Sequence, residues 1–120
     1  MVTQQAALVR VKQFLEELRQ LGIPLRQAIL FGSFARNEQH EYSDIDLALV
    51  ADTFTGAAFI DSKPFIRSVV KHIDIEPHTF SPEQFTDWNP FVQEIKRTGI
   101  VVGEWAPADR EPQWVASNLT

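Results

Sequence analysis

Two short apolar runs, AILF at residues 28–31 and LALV at residues 47–50, restrict the fold of this chain more than any other feature. They are separated by the polar stretch GSFARNEQHEYSDID, residues 32–46. Short apolar runs bounded by turn-forming residues are typical of buried strands, although the first run is also compatible with the start of a helix. We therefore predict strands at residues 27–31 and 44–50.

The rest of the chain alternates between helical and strand patterns. Apolar residues recur at helical spacing from Gln4 to Leu21, which predicts an amphipathic helix that ends at Gly22. Further predicted elements are helices at residues 62–72 and 81–97, the second bent or interrupted by Pro90, and strands at residues 72–80 and 99–102. The side chains expected to face inward from the two helices are Phe65, Ile66, Val69, Val70, Phe85, Trp88, Val92 and Ile95.

This alternation indicates an α/β or α+β domain in which helices flank a small mixed sheet. With 120 residues, 44% of them hydrophobic, the chain has room for one core. We predict that residues 1–103 form this single domain. Residues 104–120 contain two prolines and show neither period, so we expect a tail that is either disordered or bound to a partner.

Composition narrows the classes of function. Sixteen acidic against eleven basic residues give a formal net charge of −5, which argues against direct nucleic-acid binding, since duplex binding normally needs a basic face. The lack of cysteine excludes disulfides and thiolate metal sites. No apolar run approaches the roughly 20 residues that cross a bilayer, and MVTQQAALVR lacks a signal-peptide layout, so we expect a cytoplasmic protein without membrane contact.

Asp44 and Asp46 lie two residues apart at the leading end of the second predicted strand. Side chains at this spacing project from the same face, about 7 Å apart along the backbone, and can converge on one point. Two unit charges ~5 Å apart repel by roughly 3 kcal/mol at an effective dielectric of 20. A hard divalent cation relieves this repulsion, and oxygen ligands favour Mg²⁺ or Mn²⁺. Because magnesium usually shares its shell with substrate phosphates, the pair predicts a phosphate-bearing substrate.

Gly32 and Ser33 follow the first predicted strand and open a brief helical turn at residues 33–37. Such a turn presents free backbone N–H groups and a hydroxyl to an anion. Arg36 falls on the same face as Ser33 and can add positive charge for a polyphosphate. Each signal is weak alone, but the joint order of strand, Gly-Ser turn, loop and Asp-x-Asp is far more specific.

This order resembles a known family. The run GSFARNEQHEYSDIDLALV is similar to the signature of the DNA polymerase beta-like nucleotidyltransferases, in the minimal single-domain branch called MNT proteins, whose pattern is GSxARG, a spacer and SDIDLxV. The resemblance is tight over residues 28–50 and extends by element order to about residue 102. Asn37 stands where the family usually has Gly, and Asn tolerates a left-handed backbone better than most residues.

The resemblance implies a palm-like sheet and a set of roles for these residues. Gly32 and Ser33, with Arg36, would bind the triphosphate of ATP, while Asp44 and Asp46 would bind Mg²⁺ or Mn²⁺. A third acid would share a metal ion and deprotonate the acceptor hydroxyl.

Two residues on one strand face compete for the role of third acid. Glu76 is favoured as the carboxylate that binds the metal ion and accepts the proton, because IEPH, residues 75–78, looks like a form seen in this branch. Asp74 is the rival. Either acid could also decorate a solvent-facing strand edge. His78 shares the face and could orient an acid, contact the nucleotide or serve as a partly buried structural histidine.

The resemblance also implies a biological role. Stand-alone domains of this size often pair with a helical HEPN ribonuclease toxin and act as its antitoxin, by moving AMP from ATP to a toxin tyrosine. A homo- or hetero-oligomer would be compatible with this role. The alternatives are a non-catalytic antitoxin that occludes its toxin, and a nucleotidyltransferase that modifies a small molecule such as an antibiotic.

Overall fold

A computed structural model describes residues 3–105 and contains a four-stranded sheet with the order β3-β2-β1-β4. The strands are β1 (Leu25–Phe31), β2 (Ile45–Ala51), β3 (Ile75–Phe80) and β4 (Ile100–Glu104). The helices are α1 (Gln4–Gln20), α2 (Ala58–Asp61), α3 (Ile66–Lys71) and α4 (Pro90–Thr98), with a 3-10 turn at Lys63–Phe65 before α3. The predicted fold class, a small mixed sheet flanked by helices, is confirmed.

The directions of the strands bring three chain segments to one end of the sheet. β1 is antiparallel to β2 and to β4, whereas β2 is parallel to β3. The end of β1 therefore lies beside the start of β2, and the start of β3 lies at the same end. This topology places the polar stretch between β1 and β2 next to the first residues of β3.

Each face of the sheet packs against its own helices. On β2, Ile45, Leu47 and Leu49 point into the larger core, which contains α1, while Ala48 and Val50 point into a smaller core under α4. Strict alternation along a strand produces these two faces. Asp46 falls on the α4 face, as the period of two predicted.

The helix predicted from residue 81 begins only at Pro90, so Pro90 starts a helix rather than bending one. Proline is favoured in a first helical turn because its missing N–H would have no helical partner there. The Asn89 side chain caps this start by accepting a hydrogen bond from the Phe91 N–H at 2.9 Å. Trp88, predicted to face inward, precedes the helix and is 78% exposed.

The predicted inner face of the helix at residues 62–72 was also partly wrong. Phe65 is buried and Val69 packs against the core, but Ile66 and Val70 are exposed. A 3-10 turn has 3.0 residues per turn, so Lys63–Phe65 shifts the phase of the helix that follows it. The third strand starts at Ile75 and not at residue 72, because His72 ends α3 with its side chain buried.

The last described residues continue the domain. β4 runs to Glu104, and the Trp105 N–H donates to the Arg26 carbonyl at 2.9 Å. The indole of Trp105 packs against the larger core and lies 5.3 Å from the Arg19 guanidinium. The remainder of the expected tail, residues 106–120, lies outside the described residues. Between residues 3 and 105, no helix is long and apolar enough to cross a membrane.

Candidate functional site

Strand pairing assembles a cluster of three side chains on the α4 face whose donor atoms could bind a metal ion. Asp46 of β2 pairs with Glu76 of β3, and His78 follows two residues later on the same strand face. One ligand atom from each residue lies within 4.8 Å of the other two. His78 Nε2 is 3.2 Å from Asp46 Oδ1 and 4.0 Å from Glu76 Oε1. The sheet thus brings together residues that are 32 positions apart in the chain.

Gly32 lies directly against Asp46. Its φ of +75° is in the left-handed region, and a Cβ at this position would collide with Asp46 Oδ2. Both observations favour glycine, the only residue without a Cβ, since any other side chain would displace the Asp46 carboxylate. The Gly-Ser turn and the acidic cluster are therefore neighbours in the structure.

The predicted helical turn after Gly32 is present as a hydrogen-bonded turn. The N–H of Arg36 donates to the Gly32 carbonyl at 3.2 Å, and the N–H of Glu38 donates to the Ser33 carbonyl at 2.8 Å. Asn37 adopts φ +57°, the left-handed conformation for which asparagine is suited. The Arg36 side chain is exposed and ion-paired with Glu38 at 2.8 Å.

Asp44 and Asp74 lie outside the cluster. Asp44 is exposed, immediately precedes β2, and lines a cleft of about 170 Å³ together with Asp74 and Phe34. The Asp74 carboxylate forms an ion pair with Arg10 of α1. Of the two rival acids on the third strand, the geometry therefore places Glu76, and not Asp74, beside Asp46.

His78 is the residue whose place in the site the sequence indicated least clearly. The shared strand face was the available signal, and its contact with Asp46 follows from the pairing of β2 with β3. Its ring also packs edge-on against Phe31, with centroids 5.0 Å apart, and against Phe91 at 6.3 Å. His78 is thus partly buried and at the same time part of the polar cluster.

β3 is an edge strand, and a buried carboxylate fastens it to the loop before α2. Asp61 accepts hydrogen bonds from Thr79 Oγ1 of β3 at 2.6 Å, from the Thr55 N–H at 2.9 Å and from the Gly56 N–H at 3.0 Å. Burial raises the pKa of Asp61, but these hydrogen bonds outweigh it and leave the pKa below its ordinary value. The strand that carries Glu76 and His78 is thereby held in place.

The cluster has the donor chemistry of a site for a hard divalent cation. Asp46 and Glu76 supply carboxylate oxygens, His78 supplies a nitrogen, and the side chains are 26%, 55% and 28% exposed. Among the described residues, Asp46 and Glu76 form ion pairs only with His78. Two carboxylates with oxygens within 4.8 Å of each other, and with no ion pair to a lysine or arginine in the described part of the chain, fit a bound cation. The residues present therefore fit Mg²⁺ or Mn²⁺.

A small mixed sheet that holds a Gly-Ser turn against strand-end carboxylates defines a class of domain suited to phosphate-bearing substrates. The chain belongs to the nucleotidyltransferase domain family, whose sequence model matches residues 11–101, and it is an enzyme of that type. A relative in Methanocaldococcus jannaschii, for which protein adenylyltransferase activity is proposed, is 32% identical over 111 residues. The match covers 85% of this chain and 71% of the relative.

Solved structures share the fold at lower sequence identity. A Sulfolobus solfataricus protein, itself proposed to be a nucleotidyltransferase, aligns with a TM-score of 0.59 at 20% identity, over 84% of this chain and 83% of its own. A toxin–antitoxin structure with AMP-PNP aligns with a TM-score of 0.55 at 18% identity, over 93% and 83%. A Shewanella oneidensis MNT antitoxin complex with a tri-AMPylated HEPN toxin aligns with a TM-score of 0.50 at 18% identity, over 98% and 84%.

Proposed function

We propose that this enzyme transfers AMP from ATP to a hydroxyl group with the help of Mg²⁺ or Mn²⁺. The observation that carries the proposal is the contact of the Gly32 turn with Asp46, which itself pairs with Glu76. The backbone N–H groups of the turn can bind phosphates. The carboxylates can bind a cation and accept a proton from the acceptor.

Each residue has a role in the proposed reaction. The amides and hydroxyl of Gly32 and Ser33 hold the β and γ phosphates, and Arg36 adds positive charge after exchanging its Glu38 partner for phosphate. Asp46 and Glu76 would hold the cation, which would neutralise charge on the triphosphate. Asp44 lies outside the cluster and would join them only after its exposed side chain turns toward Asp46.

Transfer requires a bond between the acceptor oxygen and the α-phosphorus, while the bond from that phosphorus to the β-phosphate oxygen breaks and pyrophosphate leaves. Glu76 takes the proton of the acceptor hydroxyl. Its exposed position on edge strand β3 leaves room for an acceptor carried by another molecule.

We infer further that the acceptor is a tyrosine of a HEPN-type toxin, so that the protein acts as an antitoxin. The proposed adenylyltransferase activity of the Methanocaldococcus jannaschii relative supports a protein acceptor. The Shewanella oneidensis complex, in which an MNT antitoxin accompanies an AMPylated HEPN toxin, supports this partner. An antitoxin that acted by occlusion alone would also need a surface that binds the toxin, but it would not need the acidic cluster.

The test is transfer of label from α-labelled ATP to a HEPN partner encoded beside this gene, in the presence of Mg²⁺. We expect label on the partner with the wild-type protein, and at least about 100-fold less with Glu76→Gln, because the base for the acceptor proton is lost. Asp74→Asn is the matched control, since this acid lies two residues away and pairs with Arg10.

Retained labelling by Asp74→Asn together with its loss in Glu76→Gln supports the assignment. Equal protection from the toxin by Glu76→Gln and by an Asp44→Ala, Asp46→Ala variant, with no label on the partner, would establish occlusion instead. Circular dichroism of each variant shows whether the fold persists.

A further inference from the structure

We infer that His78 is itself a metal-binding side chain, and that it biases the site toward Mn²⁺ over Mg²⁺. The inference deepens the proposed function and rests on its metal dependence. The pattern of two aspartates and a third acid accounts for oxygen ligands only. The nitrogen of His78 adds a donor of different chemistry to the cluster.

The positions of the donor atoms agree with ligands of one ion. Ligands about 2.1–2.2 Å from an octahedral cation lie about 3 Å apart when adjacent and about 4.3 Å apart when opposite. His78 Nε2 lies 3.2 Å from Asp46 Oδ1 and 4.0 Å from Glu76 Oε1. The first distance fits adjacent ligands of one ion. The second lies between the two values, and a rotation of the exposed Glu76 side chain would bring its oxygen into ligand position.

The imidazole is held in this orientation by its surroundings. Its backbone is fixed by the parallel pairing of His78 with Ala48, which puts the side chain on the face of Glu76. Phe31 and Phe91 pack against the ring at interplanar angles of 65°. A donor whose rotamer is fixed by packing is pre-organised for a ligand.

The presence of nitrogen changes which ion the site prefers. Mg²⁺ strongly prefers oxygen ligands and retains its waters. Mn²⁺ also suits carboxylate ligands, but as a first-row transition ion it binds an imidazole nitrogen more strongly than Mg²⁺ does, although less strongly than Zn²⁺. A site built only from carboxylates and phosphates would discriminate less between the two ions. Replacing His78 should therefore reduce Mn²⁺ affinity more than Mg²⁺ affinity.

The competing role is that of a positioning residue, which orients Asp46 through their hydrogen bond without contacting the ion. Glutamine separates the two roles, because its amide can still donate to Asp46 while it offers no imidazole nitrogen. His40→Gln is the matched control, since His40 is exposed and lies in the loop before β2.

The experiment is pulsed electron paramagnetic resonance of Mn²⁺ bound to the purified protein, combined with Mn²⁺ titration and Mg²⁺ competition. We expect ¹⁴N coupling from an imidazole in the wild type and in His40→Gln, and none in His78→Gln. The Mn²⁺ dissociation constant of His78→Gln should rise about 10-fold or more, and that of Mg²⁺ about 2-fold or less.

A wild-type spectrum without ¹⁴N coupling would overturn the inference, and this result does not depend on how any variant folds. An equal loss of Mn²⁺ and Mg²⁺ affinity in His78→Gln would also overturn it, in favour of the positioning role. Failure of AMP transfer by a protein that shows the coupling would contradict the proposed function and leave the metal ligand standing.

Discussion

At the scale of single residues, Gly32 places the Gly-Ser turn against the acidic cluster. Alanine at this position would meet two penalties, the positive φ and a collision with Asp46 Oδ2. We expect Gly32→Ala to lose AMP transfer by about 100-fold or more, because Asp46 must leave its present position beside Glu76 and His78 to make room. Label transfer and urea unfolding of the same preparation measure the two effects.

Gly22 provides a control, because it shares the positive φ of Gly32 but has open space around the position of a Cβ. Its φ is +82°, and a Cβ there would have nothing within 4 Å. Gly22→Ala should therefore cost about 1–2 kcal/mol of stability and leave transfer unchanged. Equal activities of the two alanine variants would show that the contact of Gly32 with Asp46 has no part in the reaction.

Some of the site could be predicted from residues close in sequence, and some could not. The Gly-Ser turn and the i, i+2 spacing of Asp44 and Asp46 are local patterns. The choice between Asp74 and Glu76 could not be made from local sequence. Asp74 forms an ion pair with Arg10, which lies 64 residues earlier in the chain. The contact between His78 and Asp46 likewise depends on strand register, which short-range periodicity leaves open.

At the scale of elements, Glu17 ties α1 to the end of α3. Its carboxylate accepts hydrogen bonds from His72 Nε2 at 3.1 Å and from Lys71 Nζ at 2.9 Å. These two hydrogen bonds, His72 first, lower the pKa of Glu17 from 4.5 to about 2. A depressed pKa means that the folded state favours the ionised carboxylate.

The stability from this tie is fully present above pH 4.5 and is lost as the pH falls toward about 2. We expect Glu17→Gln to cost about 1 kcal/mol at pH 7, a value reduced for solvent screening because the side chain is a quarter exposed. The difference from wild type should shrink steadily between pH 4.5 and pH 2 in urea unfolding experiments.

Glu16→Gln is the control, because Glu16 is an exposed neighbour on α1 outside this tie. A stability difference between Glu17→Gln and wild type that stayed constant down to pH 2 would contradict the assignment.

The order of the elements and the start of α1 were predictable from hydrophobic periodicity. The phase of α3 was not, because a single 3-10 turn at Lys63–Phe65 rotates all residues that follow.

At the scale of the whole molecule, the polar end of the sheet adjoins the smaller core, where the His78 ring packs against Phe31. The cores on both faces hold the sheet without any residue of the acidic cluster. Ligand binding at the cluster should therefore add stability to a domain that is already folded. The free energy of ligand binding can therefore be measured as the increase in unfolding free energy when ligand is added.

Asp46→Asn tests this expectation. The unliganded variant should unfold within about 1 kcal/mol of wild type, or at slightly higher stability, because removing one charge relieves repulsion from Glu76. With Mg²⁺ and ATP at about 100 times the dissociation constant, wild type should gain about 2.7 kcal/mol, roughly 10 °C in melting temperature. The variant should gain almost nothing, and the comparison needs only thermal scans with and without ligand. If Asp46→Asn instead lost its cooperative transition without ligand, Asp46 would be part of the folding core, and the acidic cluster would be structural.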